Sequence, residues 1–153
     1  MTTPAKTDAK HIRESDGDFL LHPSNDDLFA RTGKQIIEAC QMSISIAVWM
    51  EELNQMLSEV KAWCAKRSDK ISACLAEGRG SEVLLFFVPV GNQFNFDLAD
   101  ELADLNRELV TDFNIGMVEV GQIPEAEVNR FMDLEKVRIV YGRLPETHQA
   151  VGT

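Results

Sequence analysis

The stretch that decides the fold is Glu82-Val83-Leu84-Leu85-Phe86-Phe87-Val88-Pro89-Val90. Every residue from Val83 to Val88 is apolar, without the alternation of a half-exposed strand, and Gly80 and Pro89 bound the run. A strand that is buried on both faces has this pattern, because both of its sides face apolar layers. The stretch therefore predicts a central strand in a sheet that helices cover.

The residues that follow this strand alternate between helical and extended patterns. Four leucines recur at spacings of 4, 3 and 4 residues: Leu98, Leu102, Leu105 and Leu109. They predict an amphipathic helix over 96–110. Further strands are predicted over 115–120 and 137–141, with a short helix over 125–133 between them. Strands that alternate with helices imply crossover connections and largely parallel pairing.

The residues that precede the strand predict two helices. Ser24 has the side chain of a helix N-cap and is followed by Asp26 and Asp27, which favours a helix start there. A second, longer helix is predicted from a stripe at spacings of 4, 3, 4 and 3 residues: Trp49, Leu53, Met56, Val60 and Trp63. Ile71 and Cys74 extend this stripe, and Gly78 is a natural helix stop.

The segment that joins the two helices, 41–47, is ambiguous. Ser43-Ile44-Ser45-Ile46 alternates like a strand but adjoins a strongly helical pattern. We interpret it as a continuation of the helix or a tight connection.

These patterns predict an α/β protein, in which an N-terminal helical pair packs on a small, mostly parallel three-stranded β-α-β-α-β sheet. Residues 1–17 have almost no apolar anchors and are expected to form a flexible N-terminal tail. Residues 18–153 are expected to form a single domain, since about 150 residues suffice for one core.

Composition narrows the functional classes. The 153-residue chain has 25 acidic and 15 basic side chains, a net charge of −10. From Phe94 to Glu135, eleven acids face only Arg107 and Arg130, a net of −9, which repels a phosphate backbone. We therefore expect no nucleic-acid partner. No run approaches the ~20 apolar residues of a membrane span, so no membrane partner is expected either.

The cysteines and histidines indicate the compartment and the cofactor content. Cys40, Cys64 and Cys74 are odd in number and widely spaced, unlike a disulfide framework, so we expect a cytoplasmic location. No histidine stands at metal-ligand spacing from a cysteine. We expect no metal and no other cofactor.

A candidate ligand-binding site follows from the predicted sheet. Ligands of open α/β sheets bind at the carboxyl ends of the strands. Four polar side chains follow the predicted strands there: Asn92, Gln93, Gln122 and Arg143. They can exchange hydrogen bonds with a small ligand, and Arg143 can hold a carboxylate or phosphate.

No catalytic motif accompanies these residues. Asp97, Glu101, Asp104 and Glu108 share one face of the predicted helix over 96–110, but a solvated acidic face has the same spacing. The turn after the first strand has one glycine where a dinucleotide fingerprint needs three. Nucleophile motifs are also lacking, so an enzyme is unsupported and no catalytic residue is assigned.

The function we favour is a non-catalytic protein-interaction or regulatory subunit that binds a protein partner or itself as a homodimer. Its interface is assigned to the long helix, at Trp49, Leu53, Met56 and Trp63, because Trp and Met suit contact surfaces. The stripe between the two tryptophans is also suited to the core, and we expect this helix to pack on its own sheet and first helix, with one end joining a two-fold contact. The alternative is a small-molecule-binding domain, or a minor enzyme, that uses the polar edge at the carboxyl ends of the strands. An acidic mimic of nucleic acid is a weaker third hypothesis.

Overall fold

The computed structural model describes residues 23–133 and 135–143, with side chains from residue 29 onward. The predicted tail over 1–17 and the residues from 144 onward lie outside this range. Along the chain the elements are α1 (Pro23–Ala39), α2 (Ile46–Ala65), β1 (Ile71–Arg79), β2 (Glu82–Pro89), α3 (Phe96–Asp112), β3 (Val118–Gln122), a 3₁₀ turn (Glu125–Glu127), α4 (Val128–Phe131) and β4 (Val137–Gly142). The predicted α/β class is confirmed.

The sheet is mixed and has four strands in the described part of the chain, in the order β3-β2-β1-β4. β2 pairs with β3 in parallel through the crossover helix α3, as predicted. β1 lies between β2 and β4 and pairs with both in antiparallel fashion. The prediction of a three-stranded, mostly parallel sheet is therefore wrong in strand number and pairing. β2, β3 and β4 nevertheless run in the same direction, because β4 and β2 both oppose β1.

The strand that the sequence does not predict is β1, because its apolar residues continue the stripe of the long helix. α2 ends at Ala65, and the chain turns into β1 at Ile71. β1 and β2 form a hairpin whose two-residue turn is Gly80-Ser81, with Arg79 paired to Glu82. Gly80 has a φ of 60°, which a residue without a Cβ adopts at little cost, and glycine is favoured at this place in a hairpin turn.

The helix α2 supplies the centre of the main core. Trp49, Leu53, Met56 and Val60 are completely buried, and they pack with residues of β1, β2 and α3. The Trp49 side chain also finds a polar partner, because its Nε1–H donates to the carbonyl oxygen of Ile115 at 3.0 Å. Ser45 caps the helix by accepting a hydrogen bond from the Val48 amide at 3.1 Å. The ambiguous segment before α2 is thus a tight connection.

A second, smaller core covers the opposite face of the sheet. The 3₁₀ turn and α4 place Val128 and Met132 against Leu75 and Val88. Helical segments thus lie on both faces of β2, as its apolar run from Val83 to Val88 predicts, although Leu84 and Phe86 are only half-buried.

Membrane insertion finds no support among the helices. Within residues 23–133 and 135–143, no helix combines the length and the apolar composition that crossing a bilayer requires.

Candidate functional site

One end of the sheet gathers the carboxyl ends of three strands. β2 ends at Pro89, β3 at Gln122 and β4 at Gly142, and β1 begins at this same end. The backbone amide of Val90 donates to the carbonyl of Lys70 at 2.9 Å, which holds the loop after β2 beside the start of β1. We call this end of the sheet the rim. All four sequence-predicted ligand residues lie along it.

Two of the predicted ligand residues bond to the chain itself. The Gln122 side-chain amide accepts from the Asn95 backbone N–H and donates to the Asn95 carbonyl, both at 2.9 Å. The Asn92 side-chain oxygen accepts from the Ala126 amide at 2.9 Å. These bonds fasten the loop after β2 to β3 and to the 3₁₀ turn. They occupy both polar groups of the Gln122 side chain and the side-chain oxygen of Asn92.

The other two predicted residues, Gln93 and Arg143, are exposed and lie apart. Gln93 lines a cleft beside the loop after β2, whereas Arg143 follows β4. β4 is two strand spacings from β2, about 10 Å, and three spacings from β3, about 14 Å. The rim therefore brings Asn92, Gln93 and Gln122 together and leaves Arg143 on its far side. Their role in binding a ligand stays a prediction.

The cleft at Gln93 is open and has a volume of about 390 Å³. It is lined by Val90, Gly91, Gln93, Phe94, Asn95, Phe96 and Asp97. The two aromatic rings meet edge to face, with centroids 4.9 Å apart and an interplanar angle of 64°. Phe94 is 49% exposed and Phe96 is 79% exposed, so both rings face solvent.

These aromatic residues were missed at the level of sequence, although a signal for one of them was present. At 100° per residue, Phe96 lies about 150° from the centre of the leucine stripe of α3. A side chain in that position cannot join the core that the stripe contacts. Asn95 caps α3 by accepting a hydrogen bond from the Leu98 amide at 2.9 Å, which fixes the start of the helix between the two rings.

The basic side chains beside the cleft are neutralised within the chain. Glu101 of α3 accepts from Arg67 Nε at 2.5 Å and also from Lys70 Nζ. Hydrogen bonds from Lys70 and Arg67 lower the pKa of Glu101, and the bond to Glu101 raises the pKa of Lys70. The guanidinium of Arg67 also lies 3.8 Å from the centroid of the Trp63 ring. The cluster joins the end of α2 to α3.

Three of the four predicted interface residues lie inside the chain. Trp49, Leu53 and Met56 are completely buried, so a partner cannot touch them in this conformation. Trp63 is half-buried, and its ring meets Phe87 edge to face at 5.7 Å. Of the predicted set, only Trp63 keeps surface for a partner.

Two of the three cysteines are buried, whereas Cys40 is exposed. Cys64 and Cys74 are buried in the main core, and burial raises the pKa of the Cys74 thiol well above its ordinary value, with the neighbouring Cys64 adding to the effect. Residues 23–133 and 135–143 contain no cluster of three or more His, Cys, Asp or Glu side chains arranged to hold a metal ion.

Comparison with known proteins assigns no relative. No family model matches the chain, and neither a curated protein nor a solved structure is detectably similar to it.

Proposed function

We propose that the protein is a non-catalytic interaction subunit that binds a partner protein at the rim. The contact surface, here called the rim surface, consists of Val90, Phe94 and Phe96. The observation that carries the proposal is the orientation of the rim side chains. The side-chain amide of Gln122 and the side-chain oxygen of Asn92 are bonded to backbone groups, while the three apolar side chains of the rim surface are exposed.

The rim surface has the physical properties of a protein contact. Burial of apolar area contributes roughly 25 cal/mol per Å² before the entropic costs of association are subtracted, and each aromatic ring can bury a large apolar area. The edge-to-face contact between Phe94 and Phe96 and the cap at Asn95 hold the rings in place before binding. Binding of a partner therefore costs less side-chain conformational entropy at these two rings.

Charge indicates the kind of partner that suits this surface. Asp97 lines the cleft, and the segment from Phe94 to Glu135 has a net charge of −9. Arg67 and Lys70 are both engaged with Glu101 and do not offset Asp97 fully. The complementary surface is apolar, with Lys or Arg at its margin.

Site-specific photo-crosslinking tests the proposal. A photoreactive phenylalanine analogue at Phe94 is expected to give a defined adduct in cells that express the protein. The matched control is the same analogue at Val48, which is 47% exposed and lies at the opposite end of α2 from the rim. The partner found in the adduct is then purified and titrated against wild type and Phe94→Ser.

The titration decides the proposal. We expect Phe94→Ser to weaken binding by about tenfold or more, as hot-spot truncations do, with an unchanged melting temperature. Equal yields of adduct from positions 94 and 48 contradict the proposal. It is also contradicted if Phe94→Ser binds the purified partner with the wild-type Kd.

A small ligand in the cleft is the second candidate. Its support is the cleft volume of about 390 Å³, which falls in the range of ligand pockets, roughly 300–1,000 Å³. A thermal-shift screen with metabolites and nucleotides separates the two functions, since a ligand at 100 times its Kd stabilises the fold by about 2.7 kcal/mol. A shift that Gln93→Ala abolishes favours this candidate.

A further inference from the structure

The outer edge of β3 carries backbone groups that pair with none of the described residues. β3 is the terminal strand of the sheet. On its inner side, the Met117 carbonyl accepts from the Val83 amide and the Ile123 amide donates to the Phe87 carbonyl, both at 3.0 Å. Because inward and outward groups alternate along a parallel strand, the N–H and C=O groups of Val118, Val120 and Gln122 point outward.

The other edge strand, β4, is protected in a way that β3 is not. β4 has a register irregularity opposite Cys74 and Leu75, and bulges of this kind discourage pairing between sheets. β3 keeps an uninterrupted register with β2 and contains neither lysine nor proline between Val118 and Gln122. Its shortness and the charge of Glu119 are the protective features that it has.

The helix beside this edge presents an apolar flank. The ion pairs of Glu101 with Arg67 and Lys70 place one side of α3 against α2, so the other side of α3 borders the outer edge of β3. Phe96, Ala103 and Val110 lie on that side at intervals of seven residues, and Val110 is 58% exposed. The acidic positions Asp97 and Glu108 lie toward the α2 side.

We propose that a second copy of the chain pairs with this edge, forming a two-fold symmetric dimer through antiparallel β3 strands. This inference goes beyond the proposed function, because it concerns the outer edge of β3 and not the partner of the rim surface. The two-fold axis passes through Val120, so Val118 faces Gln122 of the second copy and the outward groups of these residues meet one another.

The charge pattern of β3 is compatible with this self-pairing. Around Val120, Glu119 stands opposite Gly121 of the second copy, so its carboxylate meets a residue that has no side chain. A register with Glu119 opposite itself places like charges face to face, which is unfavourable. The flank of α3 is compatible with the same two-fold axis. Phe96 and Val110 are each seven residues from Ala103. Two antiparallel copies of α3 that cross at Ala103 therefore bring Phe96 of one copy near Val110 of the other.

Substitutions at Gly121 test the pairing without disturbing the protomer. A Cβ built at Gly121 meets no atom within 4 Å, and its φ is not in the left-handed region. Gly121→Glu places a carboxylate opposite Glu119 twice in the dimer, whereas Gly121→Lys places an ammonium there. Two such pairs change the dimer Kd by roughly 2- to 30-fold.

We expect light scattering after size-exclusion chromatography to give twice the chain mass of 17.1 kDa for the wild type. Gly121→Glu raises the dimer Kd and Gly121→Lys lowers it. The double variant Glu119→Lys with Gly121→Glu lowers the Kd to about the value of Gly121→Lys, because both variants place an ammonium opposite a carboxylate. Ala62→Glu and Ala62→Lys, at an exposed position on α2, are the controls for net charge and leave the dimer Kd unchanged.

A wild type that is monomeric at several hundred micromolar overturns the inference, as does a dimer that responds to Ala62 and Gly121 substitutions alike. If the full chain is a monomer and deletion of residues 1–22 makes it a dimer, the occupant of the β3 edge in the full chain is that segment and not a second copy. The crosslinking at Phe94 is independent of these outcomes, because a monomer can still bind another protein at the rim surface. Failure of the dimer is thus distinguishable from failure of the proposed function.

Discussion

At the scale of single residues, Trp49 combines burial with a hydrogen bond. Its ring is completely buried, and its Nε1–H is bonded to the Ile115 carbonyl. We expect Trp49→Phe to lower the free energy of unfolding by about 2–4 kcal/mol, because it leaves that carbonyl without its donor and opens a cavity. The measurement is urea unfolding followed by circular dichroism. Trp63→Phe, at the half-buried tryptophan, is the control and should cost less than half as much.

Gly33 shows why a residue can oppose its local propensity. In sequence it weakens α1, by about 1 kcal/mol relative to alanine. In the fold, a Cβ at this position lies 2.4 Å from Cε3 of the Trp49 ring and 2.9 Å from Cδ1 of Ile46. The glycine therefore makes room for α2 to approach α1.

Gly33→Ala is accordingly expected to destabilise the protein by about 1–3 kcal/mol, despite the gain in helix propensity, because overpacking forces the neighbours apart. Gly121→Ala is the matched control, since its Cβ meets nothing within 4 Å. It should leave the free energy of unfolding unchanged or raise it slightly. A Gly33→Ala variant as stable as Gly121→Ala would mean that α1 and α2 can separate at no cost.

At the scale of elements, the spacing of apolar residues predicts most of the helices and strands. It fails at β1, whose apolar residues directly follow the apolar stripe of α2. The leucine stripe of α3 and the apolar run of β2 each indicate the observed structure. Ile71 and Cys74 continue the helical spacing of the α2 stripe by coincidence, so the spacing predicts a helix where β1 lies. The dipeptide Gly80-Ser81 between two apolar runs is the hairpin signal that distinguishes the two readings.

The candidate site was predictable in position but not in composition. The parallel direction of β2 and β3 places the rim at their carboxyl ends, as the sequence predicts. Whether Asn92 and Gln122 face solvent or the backbone depends on contacts between segments 30 or so residues apart. Spacing along the chain does not contain that information.

The ion pairs of Glu101 with Lys70 and Arg67 contribute to the free energy of unfolding, and the direction in which this contribution changes with pH follows from the pKa of Glu101. Glu101 has a pKa below its ordinary value of 4.5, because Lys70 and Arg67 stabilise its charged form. Its contribution to stability is thus fully present above pH 4.5 and is lost as the pH falls through the lowered pKa. We expect Glu101→Gln to reduce the free energy of unfolding at pH 7 by about 1 kcal/mol or less, since the cluster is partly exposed.

Urea unfolding of wild type and Glu101→Gln between pH 2.5 and pH 7 measures this contribution. The difference between the two proteins should shrink toward zero at the acid end of the range. Glu108→Gln, on an exposed turn of the same helix, is the control and should match the wild type throughout. A difference that stays constant with pH would show that Glu101 acts through packing and not through its charge.

At the scale of the whole molecule, one core connects the elements of both halves of the chain. Residues of α1, α2 and α3 share a single buried cluster with β1, β2 and the edge strands β3 and β4. Leu53 lies within this cluster and is completely buried. A charge at this position has no aqueous contact and no partner, which is among the most destabilising changes that a core can receive.

Leu53→Asp is therefore expected to unfold the entire sheet, including strands that are distant from Leu53 in sequence. Hydrogen exchange followed by mass spectrometry measures protection in each strand separately, and circular dichroism reports the total loss. Val48→Asp, at an exposed position of the same helix, keeps wild-type protection and shows that an added charge is tolerated outside the core. If β3 and β4 stay protected in Leu53→Asp while α2 exchanges, the sheet has a stability of its own, and the two halves of the chain fold as separate cooperative units.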